Sequence, residues 1–100
     1  MMIIINGTVR LPVANLERAR PVMRAVIEAT RQEDGCLSYA FAEDLLEPGL
    51  IRVSETWRDE AVLAAHGQAP HMAPWRAAAA ELGVTGRDIS AYAAGEPRKI

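Results

Sequence analysis

Four stretches of this chain alternate apolar residues with a period of two, and the segments between them carry apolar residues three and four apart. That order of periods restricts the fold more than any other feature of the sequence. From Ile3 to Leu11, the residues Ile3, Ile5, Gly7, Val9 and Leu11 face one way and Ile4, Asn6, Thr8 and Arg10 the other, as in a strand that Pro12 ends. Leu16, Ala19, Met23, Val26, Ile27 and Thr30 then follow at helical spacing, with Asn15 as the expected N-cap and Asp34-Gly35 as the stop. Pro21 predicts either a kink or a helix that begins at Pro21 itself. Leu37, Tyr39 and Phe41 alternate with Cys36, Ser38, Ala40 and Ala42 to give a second strand, and Ile51, Val53, Glu55 and Trp57 mark a third. Glu47-Pro48-Gly49 between them has the residues of a type II turn, which makes this pair antiparallel. Asp59 can cap a short helix through Ala65 or His66 that Gly67 closes, and Pro70 can stand in the first turn of another. In that second helix Met72, Trp75, Ala79 and Leu82 form the stripe, Pro74 lies in an early turn, and Gly83 closes the end. A last alternation from Val84 to Ala94 completes β-α-β-β-α-β, and Gly95 to Ile100 is an expected frayed tail.

This order is that of a ferredoxin-like α+β fold, a four-stranded antiparallel sheet with its helices on one face. One hundred residues are enough for one such domain, 1–100 with its core in 2–94, and too few for two separate cores. Half of the chain is hydrophobic, which excludes an intrinsically disordered protein. The uncovered sheet face carries apolar residues as well, with Ile4, Ala40 and Leu50 in the second register, so a homodimer that buries this face is expected. Eleven basic and thirteen acidic residues are interspersed without a run that could follow a phosphate backbone, so nucleic acid is not an expected partner. The apolar start Met1 to Ile5 gives way at once to Asn6, Gly7, Thr8 and Arg10, too short for a membrane span or a signal peptide. With a single cysteine, Cys36, these features lead to the expectation of a cytoplasmic protein with neither disulfide nor membrane contact.

Among residues that could carry chemistry, Glu55 shares a register with Val53 and Trp57, so its carboxylate must be paired, protonated or functional. Tyr39 and Trp57 are ring-bearing core positions that could also wall an aromatic pocket. His66 and His71 are five apart, which one continuous helix would turn about 140° from each other; the break at Gly67 and Pro70 can bring both toward one cavity. No cysteine or aspartate stands at ligand spacing beside them, so no metal is expected. Cys36 reads as a packed thiol, and Arg31, Glu33 and Gly35 as a helix end with Gly35 its left-handed cap. Phosphate loops, nucleophile elbows and paired catalytic carboxylates are absent.

The block Arg31-Gln32-Glu33-Asp34-Gly35-Cys36-Leu37-Ser38-Tyr39, followed by Glu55-Thr56-Trp57, Ala65-His66 and Pro70-His71-Met72, resembles the antibiotic biosynthesis monooxygenase domain family. The resemblance implies a dimeric α+β barrel and an oxygenase that needs no cofactor and oxidises a small electron-rich phenol or quinol with O₂. In that case His66 would be the base, Glu55 its orienting partner, His71 and Asn6 polar contacts to substrate or peroxide oxygen, and Tyr39 and Trp57 the aromatic slot. Haem-degrading relatives of the same fold use an asparagine on the first strand, a tryptophan and an axial histidine. Asn6 matches the first, but His66 stands near the tryptophan position and Arg76 near the axial one, so haem is not expected. A non-catalytic dimeric binding module for a small aromatic metabolite, or a cyclase or isomerase of polyketide type, would use the same residues without O₂.

Overall fold

The first alternation forms β1 (Met2–Arg10), and the other expected elements follow it: α1 (Leu16–Arg31), β2 (Cys36–Glu43), β3 (Leu50–Trp57), α2 (Glu60–Gly67), α3 (Met72–Leu82) and β4 (Thr85–Ala94). These come from a computed structural model that describes residues 1–100. The strands make one antiparallel sheet in the order β2-β3-β1-β4, the ferredoxin-like arrangement, with β2 and β4 at its edges. Odd-numbered residues of β1 and β3 point toward the helices. Ile3 packs there with Tyr39, Trp57 and Val62, and Ile51 with Leu11, Leu16, Ala19, Met23 and Leu82, two apolar clusters at opposite ends of the sheet. No helix is long and apolar enough to cross a membrane.

Local chemistry sets most boundaries. The Leu50 N–H donates to the Glu47 carbonyl at 3.1 Å across Pro48-Gly49, and Gly49 has φ +85°, the type II turn expected from the sequence. Asp59 caps α2 by accepting from the Val62 N–H at 3.0 Å. Pro21 does not begin α1 or divide it; the helix runs unbroken from Leu16. Proline stands on its exposed side, where the Glu17 carbonyl left without an N–H is open to water.

Several local expectations are corrected. Asn15 does not cap α1: its amide Nδ2 donates 2.8 Å to the Leu82 carbonyl, satisfying the end of α3 instead. Gly67 stays helical, and α2 ends through N–H groups of Gln68 and Ala69 that bond back to Ala65 and His66. Pro70 precedes α3 rather than joining its first turn, which Pro74 does. The C-cap of α1 is Gln32, in right-handed conformation, and not Gly35. Gly35 lies three residues on, with φ +81°, in the turn that leads into β2. In β2, Cys36 stands opposite Trp57 while Ser38 stands opposite Thr56, so Leu37 is the extra residue of a bulge. The bulge puts Cys36 on the same face as Tyr39 and leaves Leu37 58% exposed, against the simple alternation of Leu37 with Tyr39.

The uncovered sheet face is also less apolar than its sequence suggested. Its cross-strand rows are Ser38-Thr56-Ile4-Tyr92, Ala40-Ser54-Asn6-Ser90 and Ala42-Arg52-Thr8-Asp88. Leu50, expected there, is already buried within the chain. The exposed apolar content of this face is concentrated at Ile4 and Tyr92.

A Cβ on Gly35 would lie 2.6 Å from Cγ1 of Val62 in α2, so this turn both needs a positive φ and touches the helix. Gly35→Ala is therefore expected to destabilise the fold by about 2 kcal/mol, through backbone strain and overpacking together. Urea unfolding measures this, and a midpoint equal to the wild type would contradict the packing described.

Candidate active site

The chemistry-bearing residues converge where α1 ends, α2 ends and α3 is about to begin. Glu33, in the turn after α1, holds the centre: its Oε2 lies 2.7 Å from Nδ1 of His66 and 2.9 Å from Nε2 of His71. A carboxylate has only acceptor oxygens, so both of these nitrogens carry their protons and donate to it. The same Nε2 of His71 is 3.2 Å from Oγ1 of Thr30, a residue with no exposed surface. No buried side-chain nitrogen or oxygen is left without a partner.

His66 is 7% exposed and sits among rings: its centroid is 4.6 Å from Trp57 and 5.5 Å from Tyr39. With Nδ1 committed to Glu33, Nε2 is the nitrogen that can accept a proton. The imidazole borders a cavity of about 280 Å³ between the inner sheet face and helices α2 and α3. Fifteen of the twenty lining residues are hydrophobic, which makes this a site for an apolar body with few polar anchors. Those anchors are His66, Glu55 and Tyr39 from the sheet and α2, with Arg76 and Arg87.

Glu55 occupies the buried register expected of it and is 7% exposed. Its Oε1 accepts from the Trp57 indole N–H at 2.9 Å. Burial raises its carboxyl above the usual range, opposed by that hydrogen bond and by the charges of His66 and Arg87. Burial also raises the Tyr39 phenol, and the Glu55 charge adds to it, so Tyr39 remains a neutral donor. The Cys36 thiol is raised by the same cause, with Glu33 next, which suits a packed residue and not a nucleophile.

The structure thus brings together His66, His71, Tyr39, Glu55 and Trp57, with changed relations. Glu33, read from the sequence as a helix-end charge, holds His66; the expected partner Glu55 is bonded to Trp57 instead. Trp57 has no exposed surface and stands behind His66 and Glu55, and the indole that borders the cavity is Trp75. Asn6 is on the opposite face of the sheet, exposed between Ser54 and Ser90, because its even register in β1 points away from the helices. Arg31, also read as a helix-end charge, donates from Nε to the Tyr39 carbonyl at 2.9 Å and so ties α1 to β2. One signal could have found Glu33: two histidines brought to one buried place need an acceptor, and Glu33 is the carboxylate of the helix-end block that ends at Tyr39.

Glu33, His66 and His71 also form the group of side chains able to hold a metal, their ligand atoms lying within 4.8 Å of one another. Cation binding there would have to displace the two N–H protons that now bond Glu33.

An antiparallel ferredoxin-like sheet with a histidine–carboxylate pair on the wall of a mostly apolar cavity places the chain among ferredoxin-like α+β proteins. The chain belongs to the antibiotic biosynthesis monooxygenase family, which it matches over residues 2–78. It is similar to a Deinococcus radiodurans protein described as a candidate antibiotic biosynthesis monooxygenase, with 34% identity, a TM-score of 0.89, and coverage of 100% of this chain and 98% of that one. Rv0793 from Mycobacterium tuberculosis is 25% identical with a TM-score of 0.83, over 99% of this chain and 100% of that one. Among curated proteins, the uncharacterized sll1783 of Synechocystis is 33% identical over 69 residues, 69% of this chain. The match spans about half of that relative, 47% of its length.

The burial of Glu55 has a stability consequence. The folded chain holds its proton more tightly than the unfolded chain, so stability falls as pH rises from the ordinary carboxylate range through the raised folded value. Glu55→Gln keeps an oxygen for the Trp57 N–H and removes this loss. Its Tm gain over the wild type should be larger at pH 8 than at pH 5 by calorimetry, and a gain independent of pH would show that Glu55 carries no such cost.

Proposed function

We propose that this protein is a monooxygenase that uses no cofactor and oxidises a small electron-rich phenol or quinol with O₂. The observation that carries the reading is His66, held at Nδ1 by Glu33 and bordering a mostly apolar cavity with its other nitrogen uncommitted. A phenol must lose its proton before it gives an electron readily to O₂, and an imidazole oriented by a carboxylate is suited to take that proton. In this scheme Nε2 of His66 accepts the phenolic proton and Glu33 stabilises the resulting imidazolium. The phenolate passes one electron to O₂, and the two radicals join at a ring carbon as a peroxide, which is protonated there. Loss of water leaves the quinone, so both oxygen atoms are accounted for and no external reductant is required. Tyr39 and Glu55 supply hydrogen bonds to oxygen, His71 holds Glu33, Thr30 touches His71, and Trp75 walls the aromatic slot; neither Asn6 nor Trp57 contacts the substrate.

Oxygen uptake and product analysis with a panel of hydroquinones and anthrones test this. His66→Ala is expected to lower kcat/KM at least about 100-fold, the usual share of a general base, while the circular dichroism spectrum is kept. Glu33→Gln should lower kcat as well, since a neutral amide stabilises imidazolium poorly. Turnover should survive EDTA; loss on chelation would make Glu33, His66 and His71 a metal centre instead. A wild type that binds these compounds without consuming O₂ would be a binding module, or, if it rearranges them, an isomerase or cyclase.

We also infer a homodimer formed through the uncovered sheet face, as the family resemblance implies. Ile4 and the 57%-exposed Tyr92, adjacent across β1 and β4, would be its apolar centre among small residues. Light scattering at micromolar concentration should give twice the chain mass, and Tyr92→Asp should give a monomer; a wild-type monomer would overturn the inference.

A further inference from the structure

The cavity has a polarity that the oxygenase chemistry does not use. Its deep end carries acid and acceptor groups, Glu55 and His66, with Glu33 behind them. Its lining also includes two exposed arginines, Arg76 of α3 and Arg87 of β4. Arg10, Arg20, Arg52 and Arg58 each pair with a carboxylate within 3.4 Å, whereas Arg76 and Arg87, like Arg18, Arg24, Arg31 and Arg98, have no such partner, and of these six only Arg76 and Arg87 line the cavity. Arg76 is nevertheless fixed. Its Nη2 donates to the Gly67 carbonyl at the end of α2, 2.7 Å away, which holds the fork beside the cavity with most of its N–H groups unspent. The field of Arg87 reaches into the same space, since it acts on the buried Glu55 carboxyl.

We propose that the ligand of this cavity is an aromatic hydroxy acid, its ring among the apolar residues, its hydroxyl toward His66 and its carboxylate held by Arg76 and Arg87. This deepens the oxygenase reading of the site and rests on it for the orientation of the hydroxyl. The opposite orientation is disfavoured by charge, because a carboxylate at the deep end would meet Glu55 in a poorly hydrated place. At the arginine end the same carboxylate meets two guanidiniums whose geometry suits it. The volume, about 280 Å³, is close to the lower limit of about 300 Å³ typical of ligand pockets, which favours a ligand of one or two rings.

The test compares 2,5-dihydroxybenzoate with its methyl ester, which keeps the ring and both hydroxyls and removes the charge. Binding is followed anaerobically by quenching of tryptophan fluorescence, with Trp75 on the cavity wall as the reporter, so that no turnover is needed. The acid should bind at least about tenfold more tightly than the ester, the smallest ratio expected of one charge-assisted hydrogen bond. Raising the salt concentration should narrow the ratio. Arg87→Gln and Arg76→Gln should each reduce it, and the double variant should bring it close to one; Arg87→Gln leaves the Arg76 to Gly67 bond in place and so reports even if Arg76→Gln perturbs α2. Equal affinities in the wild type, a preference that survives in the double variant, or no binding of either compound would overturn the proposal. Tight binding of the acid without O₂ consumption would instead overturn the oxygenase reading and leave the arginine subsite standing. O₂ consumption with hydroquinone and no preference for the acid would do the reverse.

Discussion

One carboxylate holds the chemistry of this molecule in place. Glu33 accepts from both His66 and His71, and those three residues come from the end of α1, the end of α2 and the turn before α3. Glu33 thereby joins all three by polar contacts, and the Thr30 to His71 contact adds a second link between α1 and the turn before α3. The carboxylate is mostly buried, so its desolvation must be offset, and two N–H donors do so at short range. The arrangement is one of mutual need: without Glu33 the buried Nδ1–H of His66 would lose its partner and His71 would keep only Thr30, and without the histidines Glu33 would be a mostly buried lone charge. The Arg31 Nε–H, bonded to the Tyr39 carbonyl at 2.9 Å, ties the same end of α1 to β2, which binds the site to the sheet as well.

The sheet presents this network with a wall. The bulge at Leu37 shifts β2 by one residue, so that Cys36 and Tyr39 share the inner face and Tyr39 stands opposite Glu55. Without that shift one of the two would point away from the helices. Trp57 is the base on which both polar groups rest, stacked near His66 and bonded through its indole N–H to Glu55. Its position behind the cavity, and not in it, follows from its place at the end of β3 beneath α2, where Val62 and Ile3 enclose it. The apolar slot is left to residues of α3 and the middle of the sheet, Trp75 among them.

What could be read from the sequence divides along the range of the interactions. Strands, helices, the type II turn and the Asp59 cap were legible because each depends on residues within a few positions of one another. The bulge was not, since Cys36-Leu37-Ser38 alternates as well as any regular strand and the extra residue shows only against its partner β3. Asn15 illustrates the same limit: its local role as a cap was displaced by a carbonyl 67 residues away. In the site, Glu33 was hidden because a charge at a helix end already has a local explanation, and its bond to His66 spans 33 residues without any periodic trace. Asn6 is the instructive case. Alternation in β1 had placed it on the face away from Ile3 and Ile5, and the family resemblance drew it toward the site against that evidence of register.

The second histidine then acquires a physical role. A carboxylate that accepted from His66 alone could turn about its last side-chain bonds, and the imidazole it holds would turn with it. With His71 donating to the same Oε2, that oxygen is held from two sides and the ring of His66 is held with it. In the oxygenase scheme proposed above, this keeps the orientation of the imidazole at the cavity wall unchanged while Nε2 accepts a proton from a ligand. His71 needs no contact with a ligand to act in this way, which agrees with its place outside the lining of the cavity and with its link to the buried Thr30.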